Sequence, residues 1–502
     1  MPAKPLLVGL AGAGLFIAAI DAFVVVTLLP AMAGDVGLTI ERFEQATPIV
    51  TGFLAGYVIA MPLLGAYSDV RGRAPVYAAC MAAFAIGSVI TATAGVWSFS
   101  GLRWLVIGRL IQGLGGGGLV PLSLGLAADL YRDRSRTLAL GSVAALQEAG
   151  SVFGPLYGAT IAAAAASFGG WRFVFWLNIP LAAVCAIGLL VAFRRTDSGG
   201  PATASSIDWI SAALLGLGLG LLVLALYPDD PEHRATNALF IPAALGGLVV
   251  LGIYAWRQVH QLEPLIPRQL LRSRGFIGAT LANLLIGAAL MVALVDVPLL
   301  GRLVFNLDQL GSGLLLTQFL IGIPVGAVLG GWVAARFGPR LTAGGGIFLS
   351  ALAFLQMSQW DANALTTHLG PLRLADVSLA ACGLGFGAVI APLTASVLAL
   401  TRSESHGLTA SLVVLARTMG MLVGLSALTA FGLYRFHQIL GKPVLTDPDL
   451  RAQIKHLAQL VAAAFLQEYR EIFTIAAALC LAAAVVIVIT IRPQSLRATA
   501  IR

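Results

Sequence analysis

The sequence predicts an all-α integral membrane protein, and three observations predict it. The 502 residues are 58% hydrophobic and only 11% charged, about half the charged fraction of a soluble domain. Apolar runs of roughly 20 residues, enough to cross ~30 Å of hydrocarbon as helix, recur from one end to the other. The net charge of +8 is carried by basic residues that stand between the runs and form no single block, a membrane pattern that excludes nucleic acid as the expected partner.

Candidate spans fall near 6–30, 47–67, 74–95, 101–125, 138–162, 172–193, 208–227, 238–256, 275–299, 311–335, 341–358, 376–399, 407–433 and 470–491. That is about fourteen helices, and an even number puts both termini on one side. The first run is too long for the apolar region of a secretory signal, and only Lys4 precedes it. Arg71 and Arg73, then Arg132, Arg134 and Arg136, then Arg194 and Arg195, Arg268 and Arg272, and Arg336 and Arg340 all fall in alternate connections. The other connections hold acids such as Asp35, Glu41, Glu44, Asp229, Asp230 and Glu232. The positive-inside rule therefore places both termini in the cytoplasm. Cys80, Cys185, Cys382 and Cys480 lie singly in separate runs and read as small core side chains, with no metal-ligand spacing.

One connection is long. Asp447 can cap a helix that starts at Pro448, and Leu450, Ile454, Leu457, Val461 and Phe465 form one apolar stripe. With no breaker before the last span, a helix from Pro448 to Ile491 would be about 66 Å long. It is expected to project from the outer face, packed on an extension of the preceding helix. The segment from Asp361 to Val377 carries Gly370-Pro371 between two short runs and can form a small hairpin.

Four stretches carry motifs. The turn "GAYSDVRGR" contains Gly65, Asp69, Arg71, Gly72 and Arg73; its first glycine permits close helix approach, and Asp69 can meet a helix N-terminus. "GRLIQGLGGGG" places Arg109 inside the membrane. "QEAGSVFGPLYG" sets Gly150, Gly154 and Gly158 on one face beside Pro155. "WRFVFWLNIP" opens the sixth span. In this order these stretches resemble the major facilitator superfamily. The sixth-span motif, the helix count and "IDAFVVVTLLP" in span 1 resemble its fourteen-helix drug:proton antiporter branch. A degenerate echo, "GGWVAARFGPR" from Gly330 to Arg340, has Ala335 where Asp69 stands.

The resemblance implies two six-helix halves, 1–195 and 261–502, with two linker transmembrane helices at 196–260 and a periplasmic helical extension at about 434–469. "DAFVVVTLLP", Gln147-Glu148, "ARTMG" and the long outer segment are similar to mycobacterial triacylglyceride exporters. That likeness implies a lipid substrate, a periplasmic lipoprotein partner, a monomeric transporter in the bacterial inner membrane, and no cofactor beyond the proton gradient.

The deep charges are Asp21, Arg109, Glu148 and Arg417. At the helical rise, Asp21 lies ~22 Å from the cytoplasmic end of its span, Glu148 ~16 Å and Arg417 ~15 Å, with Arg109 near the level of Asp21. Ionisable groups at such depth pair or line a cavity. The resemblance implies an Asp21–Arg417 lock between the halves, Glu148 as a second proton site, and Arg109 in proton coupling; Asp21 thus has two candidate counter-ions, Arg417 across the halves and Arg109 within its own half. Fixed pairs that only position helices are the structural alternative, and Asp296, near the outer end of its span, reads as structural. No GxxxxGK[ST] is present to hold ATP, and an ion gradient is the expected energy source. The sequence suits proton-coupled export of a lipophilic molecule, with triacylglyceride or a related lipid foremost and multidrug efflux second. An enzyme acting on lipid would need a constellation such as HExxH or G-x-S-x-G, and the spans hold neither.

Overall fold

A computed structural model describes the chain apart from residues 1–2, 37–46, 97–100, 195–207, 227–238, 262–265, 267, 308, 362, 370–371, 401–405, 441–449 and 492–502. Helix dominates because hydrocarbon offers no partner for an unpaired backbone N–H or C=O. The helices in order are α1 (Ala3–Asp35), α2 (Thr47–Arg71), α3 (Arg73–Ala92), α4 (Gly101–Leu130), α5 (Asp133–Ala164), α6 (Trp171–Arg194), α7 (Trp209–Leu226) and α8 (Phe240–His260). Next come α9 (Arg268–Leu271), α10 (Arg274–Leu303), α11 (Gln309–Leu315), α12 (Thr317–Phe337), α13 (Pro339–Met357), α14 (Leu374–Leu398), α15 (His406–Leu440) and α16 (Leu450–Thr490).

All fourteen expected spans overlap helix, and among the described residues twelve helices are long and apolar enough to cross a membrane. The expected count of fourteen is not reached by that measure. The two that fall short are α5 and α15, where only Thr409–Leu425 qualifies as a shorter apolar stretch.

The packing pattern repeats. In the first part of the chain α1 packs on α5 and α6, α2 on α4, and α3 on α4 and α6. In the second, α10 packs on α15 and α16, α12 on α14, and α13 on α14 and α16. Glycine spacing shows how close these crossings are. A Cβ on Gly113 or Gly117 of α4 would run into the carbonyl oxygens of Phe53 and Tyr57 on α2. A Cβ on Gly383 or Gly387 of α14 would meet the carbonyls of Phe319 and Ile323 on α12 in the same way. Small residues at such points let backbones touch where lipid gives no hydrophobic drive for association. The turn echo repeats too: Gly72 before α3 has φ 88° and ψ 149°, and Gly338 before α13 has φ 88° and ψ 158°. This is a left-handed-side backbone that glycine adopts without strain.

The pair α7 and α8 is packed together, with α7 against α2. Asp208 caps α7, its carboxylate accepting the Ser211 N–H at 3.1 Å and pairing with Arg257 of α8 at 3.1 Å. The expected hairpin forms between α13 and α14, with β1 (His368–Leu369) antiparallel to β2 (Leu372–Arg373) and Leu369 opposite Leu372. The last helix has 41 residues, about 62 Å, and its apolar span is Ala462–Thr490. Its N-terminal turns therefore extend beyond that span. Within that span α16 is tied to α15 by Arg435, whose Nε and Nη2 reach the two Glu471 oxygens at 2.6 and 2.5 Å. The expected cap at Asp447 and start at Pro448 lie outside the described residues.

Candidate functional site

Asp21, midway along α1, is 1% exposed, and so is Arg109 of α4. Arg109 Nη1 donates to Asp21 Oδ2 at 2.5 Å, and Nη2 donates to the Asp21 carbonyl at 3.3 Å. The other carboxylate oxygen accepts from Gln112 Nε2 at 3.1 Å and from Asn178 Nδ2 at 2.7 Å. Gln112 is itself fixed, donating to Ser88 Oγ at 2.9 Å and accepting from Thr91 Oγ1 at 3.1 Å. Arg109 Nε is buried without a hydrogen-bond partner, and the guanidinium lies 4.3 Å over the Phe53 ring. That ring face offsets part of what the missing hydrogen bond costs. The chain thus answers a buried charge with four helices, α1, α3, α4 and α6.

The second pair joins α5 to α15. Arg417 Nη2 lies 3.0 Å from Glu148 Oε1, and both side chains are about a tenth exposed. Of the two candidate counter-ions for Asp21, Arg109 holds it in this structure, and Arg417 is held by Glu148. Depth explains the pairing. Glu148 and Arg417 sit about 16 and 15 Å from the Arg-rich end, a level Asp21 does not share. Tyr57 of α2 stands within electrostatic reach of both Arg417 and Glu148, and its ring stacks on Phe53 at 5.7 Å. Two aromatic rings on one helix thus connect the surroundings of the two ion pairs.

At the Arg-rich end the motif turn is tied into a chain of charges. Arg73 meets Asp69 at 2.9 Å and Asp129 of α4 at 2.6 Å, and donates to Ser68 Oγ at 3.1 Å. Asp69 is thus bound by a side chain of the next helix. Asp129 also faces His406, the first residue of α15, at 2.9 Å. Arg71 is exposed, Gly65 is buried, and Gly65 accepts from the Ser68 hydroxyl at 2.8 Å. Close by, α5 crosses α12 on glycine. A Cβ on Gly141 would lie 2.9 Å from the Ala327 carbonyl, and one on Gly331 would lie 3.1 Å from the Thr137 carbonyl. Gly150, Gly154 and Gly158 all face α1, against Phe16, Ile20 and Val24. Pro155 lies outside the described side chains. Trp171 and Arg172 at the head of α6 both grip Asp35 at the end of α1.

The family profile described as Major Facilitator Superfamily matches residues 11–425. The chain belongs to that superfamily. A triacylglyceride transporter of Mycolicibacterium smegmatis is 39% identical over 482 residues, covering 92% of this chain and 83% of that protein. A triacylglyceride transporter of Mycobacterium tuberculosis is 39% identical over 477 residues, covering 93% and 90%. Among solved structures, the human organic anion transporter MFSD10 superposes with TM-score 0.62 at 16% identity, covering 96% of this chain and 99% of that one. The proton:xylose symporter XylE gives TM-score 0.61 at 15% identity, covering 98% and 96%. Those structural likenesses speak for the fold. This superfamily member is a multi-pass membrane protein.

Sequence reasoning found all four deep charges and missed much of what holds them. Asn178 was visible inside "WRFVFWLNIP" as a lone amide in an apolar run. Ser88 and Thr91 carried no signal, because single hydroxyls are common in membrane helices. Asp129 and His406 lie at helix ends where a polar residue is unremarkable in sequence, and only folding brings them together across 277 positions.

Proposed function

We propose that this protein is a proton-coupled exporter of neutral lipid, of the triacylglyceride class, moving it from the inner membrane toward the periplasm by alternating access. The observation that carries the reading is the pair of acid–base contacts buried in mid-membrane, Asp21–Arg109 and Glu148–Arg417, in a chain 39% identical to named triacylglyceride transporters over nine-tenths of its length. Intramembrane acids of this kind mark proton pathways. The scarcity of deep charge suits a substrate without charge of its own.

The repeated packing and the shared Gly72 and Gly338 turns support two six-helix halves, 1–195 and 261–502, with the helices of 196–260 between them. The halves touch through α5 and α12, α2 and α15, and α4 and α15. The named contacts at Gly141, Gly331 and Asp129–His406 lie at the Arg-rich end, which the positive-inside rule assigns to the cytoplasm with both termini. In this reading the pathway is closed to the cytoplasm here. A proton arriving at Glu148 neutralises it, removes the 3.0 Å pairing with Arg417, and loosens α5 from α15. A proton on Asp21 discharges the partner of Arg109 and frees α1 from α4. Coupling follows because each conformation holds a different set of pairs, so proton occupancy shifts their balance. The helical extension of α15 and α16 stands where a periplasmic lipoprotein would receive lipid, and the transporter works as a monomer without a bound cofactor.

Proteoliposomes test this directly. Triacylglyceride transfer is expected to require an imposed proton gradient and to exceed efflux of a lipophilic cationic dye. Gradient-independent transfer refutes coupling, and dye efflux without lipid transfer replaces the lipid reading by multidrug antiport. Removing residues 442–467 is expected to reduce lipid transfer several-fold more than dye efflux. Equal loss of both would remove the lipid-specific role of the extension.

A further inference from the structure

We infer that Asp296 of α10 and Glu468 of α16 form a second protonation site, a pair of carboxyl groups holding one proton at the membrane end opposite the Arg-rich one. The packing of the two helices brings these acids to within about one helical turn of each other along the membrane normal. Gly278 of α10 lies against Thr490 of α16 near the Arg-rich end. From that crossing, Asp296 stands 18 residues along α10 and Glu468 stands 22 residues along α16, ~27 and ~33 Å at the helical rise. Asp296 is within electrostatic reach of Glu468.

The Glu468 carboxylate has a built seat. The residue is 7% exposed, and its Oε2 is buried with no hydrogen-bond partner. Its Oε1 lies over Gly432 of α15, where a Cβ would collide with it. Any other residue at 432 would push the acid out. Asp296 borders a cavity of about 10 Å³ lined from α15 by Gly424, Leu425 and Leu428, about the least that holds one water.

Among the described residues the nearby cations are already engaged. Arg435 of α15 is bound by both oxygens of Glu471, one turn along α16 from Glu468. Arg470 donates its Nε to the Trp360 carbonyl at 2.8 Å. Two ionised carboxylates cannot share a low-dielectric site without a counter-charge, because their repulsion adds to the desolvation each already bears. One proton held by the pair removes the repulsion, and a protonated Glu468 no longer buries an anionic oxygen at the orphaned Oε2. Paired acids of this kind share a proton in other proteins for the same reason.

The site lies on a line with the Glu148–Arg417 pair. Gly287 of α10 abuts the Arg417 carbonyl, and Asp296 is nine residues further along, ~14 Å. A proton held by Asp296 and Glu468 is thus one stage removed from Glu148, on the side from which a periplasmic proton would come. The inference concerns a bound proton and stands whether or not the transported molecule is a lipid.

Infrared difference spectroscopy on the full protein in lipid nanodiscs tests it. With a pH step upward from neutrality, the wild type is expected to lose a protonated-carboxyl C=O band. Asp296→Asn and Glu468→Gln, close in shape to the originals, are each expected to abolish that loss. Gly432→Ala, which keeps both acids, is expected to shift the band. A band that responds identically in all three variants overturns the proposal. So does a band that appears only when sodium and potassium are withdrawn, since the site would then hold a metal cation. If a variant does not fold, the sodium and potassium series on the wild type still decides between proton and cation, and Gly432→Ala still reports on Glu468.

Discussion

Replacing Asp21 by Asn keeps the shape and removes the charge. The Asn oxygen can still accept from Gln112 and Asn178, as Oδ1 does now at 3.1 and 2.7 Å. The new amide then faces Arg109 Nη1, donor against donor, where 2.5 Å separates the ions today. Arg109 stays 1% exposed, a cation with no anion. Breaking a buried pair in this way costs about 3–5 kcal/mol. A Coulomb estimate agrees: unit charges ~4 Å apart at an effective dielectric of ~20 interact by about 4 kcal/mol. Arg109→Gln exposes the converse, a lone Asp21. The double variant Asp21→Asn with Arg109→Gln is neutral throughout and recovers part of the loss. Unfolding in mixed micelles titrated with a denaturing detergent measures all four corners of the cycle, with an expected coupling of about 2–3 kcal/mol. Proteoliposomes of folded Asp21→Asn protein are expected to show no gradient-driven export. Single variants as stable as the wild type, or costs that simply add, would refute the argument that this pair is a mutual counter-charge.

Three further predictions rest on packing and capping. Gly141→Val places a branched side chain where the Ala327 carbonyl is 2.9 Å from a Cβ, and is expected to part α5 from α12; an Ala144→Cys reporter should then react several-fold faster with a membrane-impermeant thiol reagent, against the slow background of four buried native cysteines, and an unchanged rate refutes the crossing as a closure. Gly117→Ala, which drives a methyl into the Tyr57 carbonyl, is expected to cost about 1–3 kcal/mol, whereas Gly252→Ala, with nothing within 4 Å, is expected to be neutral or to stabilise by up to about 1 kcal/mol; both are read by thermal unfolding. Asp208→Ala removes the carboxylate that accepts the Ser211 N–H and is expected to cost about 0.5–2 kcal/mol, seen as earlier proteolysis near the start of α7.

Much of the fold was legible in the chain. Apolar length alone placed the helices, because the cost of leaving a polar backbone in hydrocarbon is local and each segment meets it by itself. The hairpin at His368–Arg373 followed from turn residues between two short runs.

The site divides differently. Asp21, Arg109, Glu148 and Arg417 stand out in sequence because a charge in an apolar run has no cheap local explanation. Their depths even held the right pairing, since Glu148 and Arg417 share one level and Asp21 and Arg109 another. What the chain could not display was the rotation and crossing of helices 88 and 269 residues apart. Those fix which guanidinium meets which carboxylate, and they place Asn178, Gln112 and Ser88 around Asp21. The sequence by itself determined that charges would be buried and how deep. Only the tertiary structure decided their partners, because ion pairing acts over a few ångströms and helices far apart in the chain reach that range only when packed.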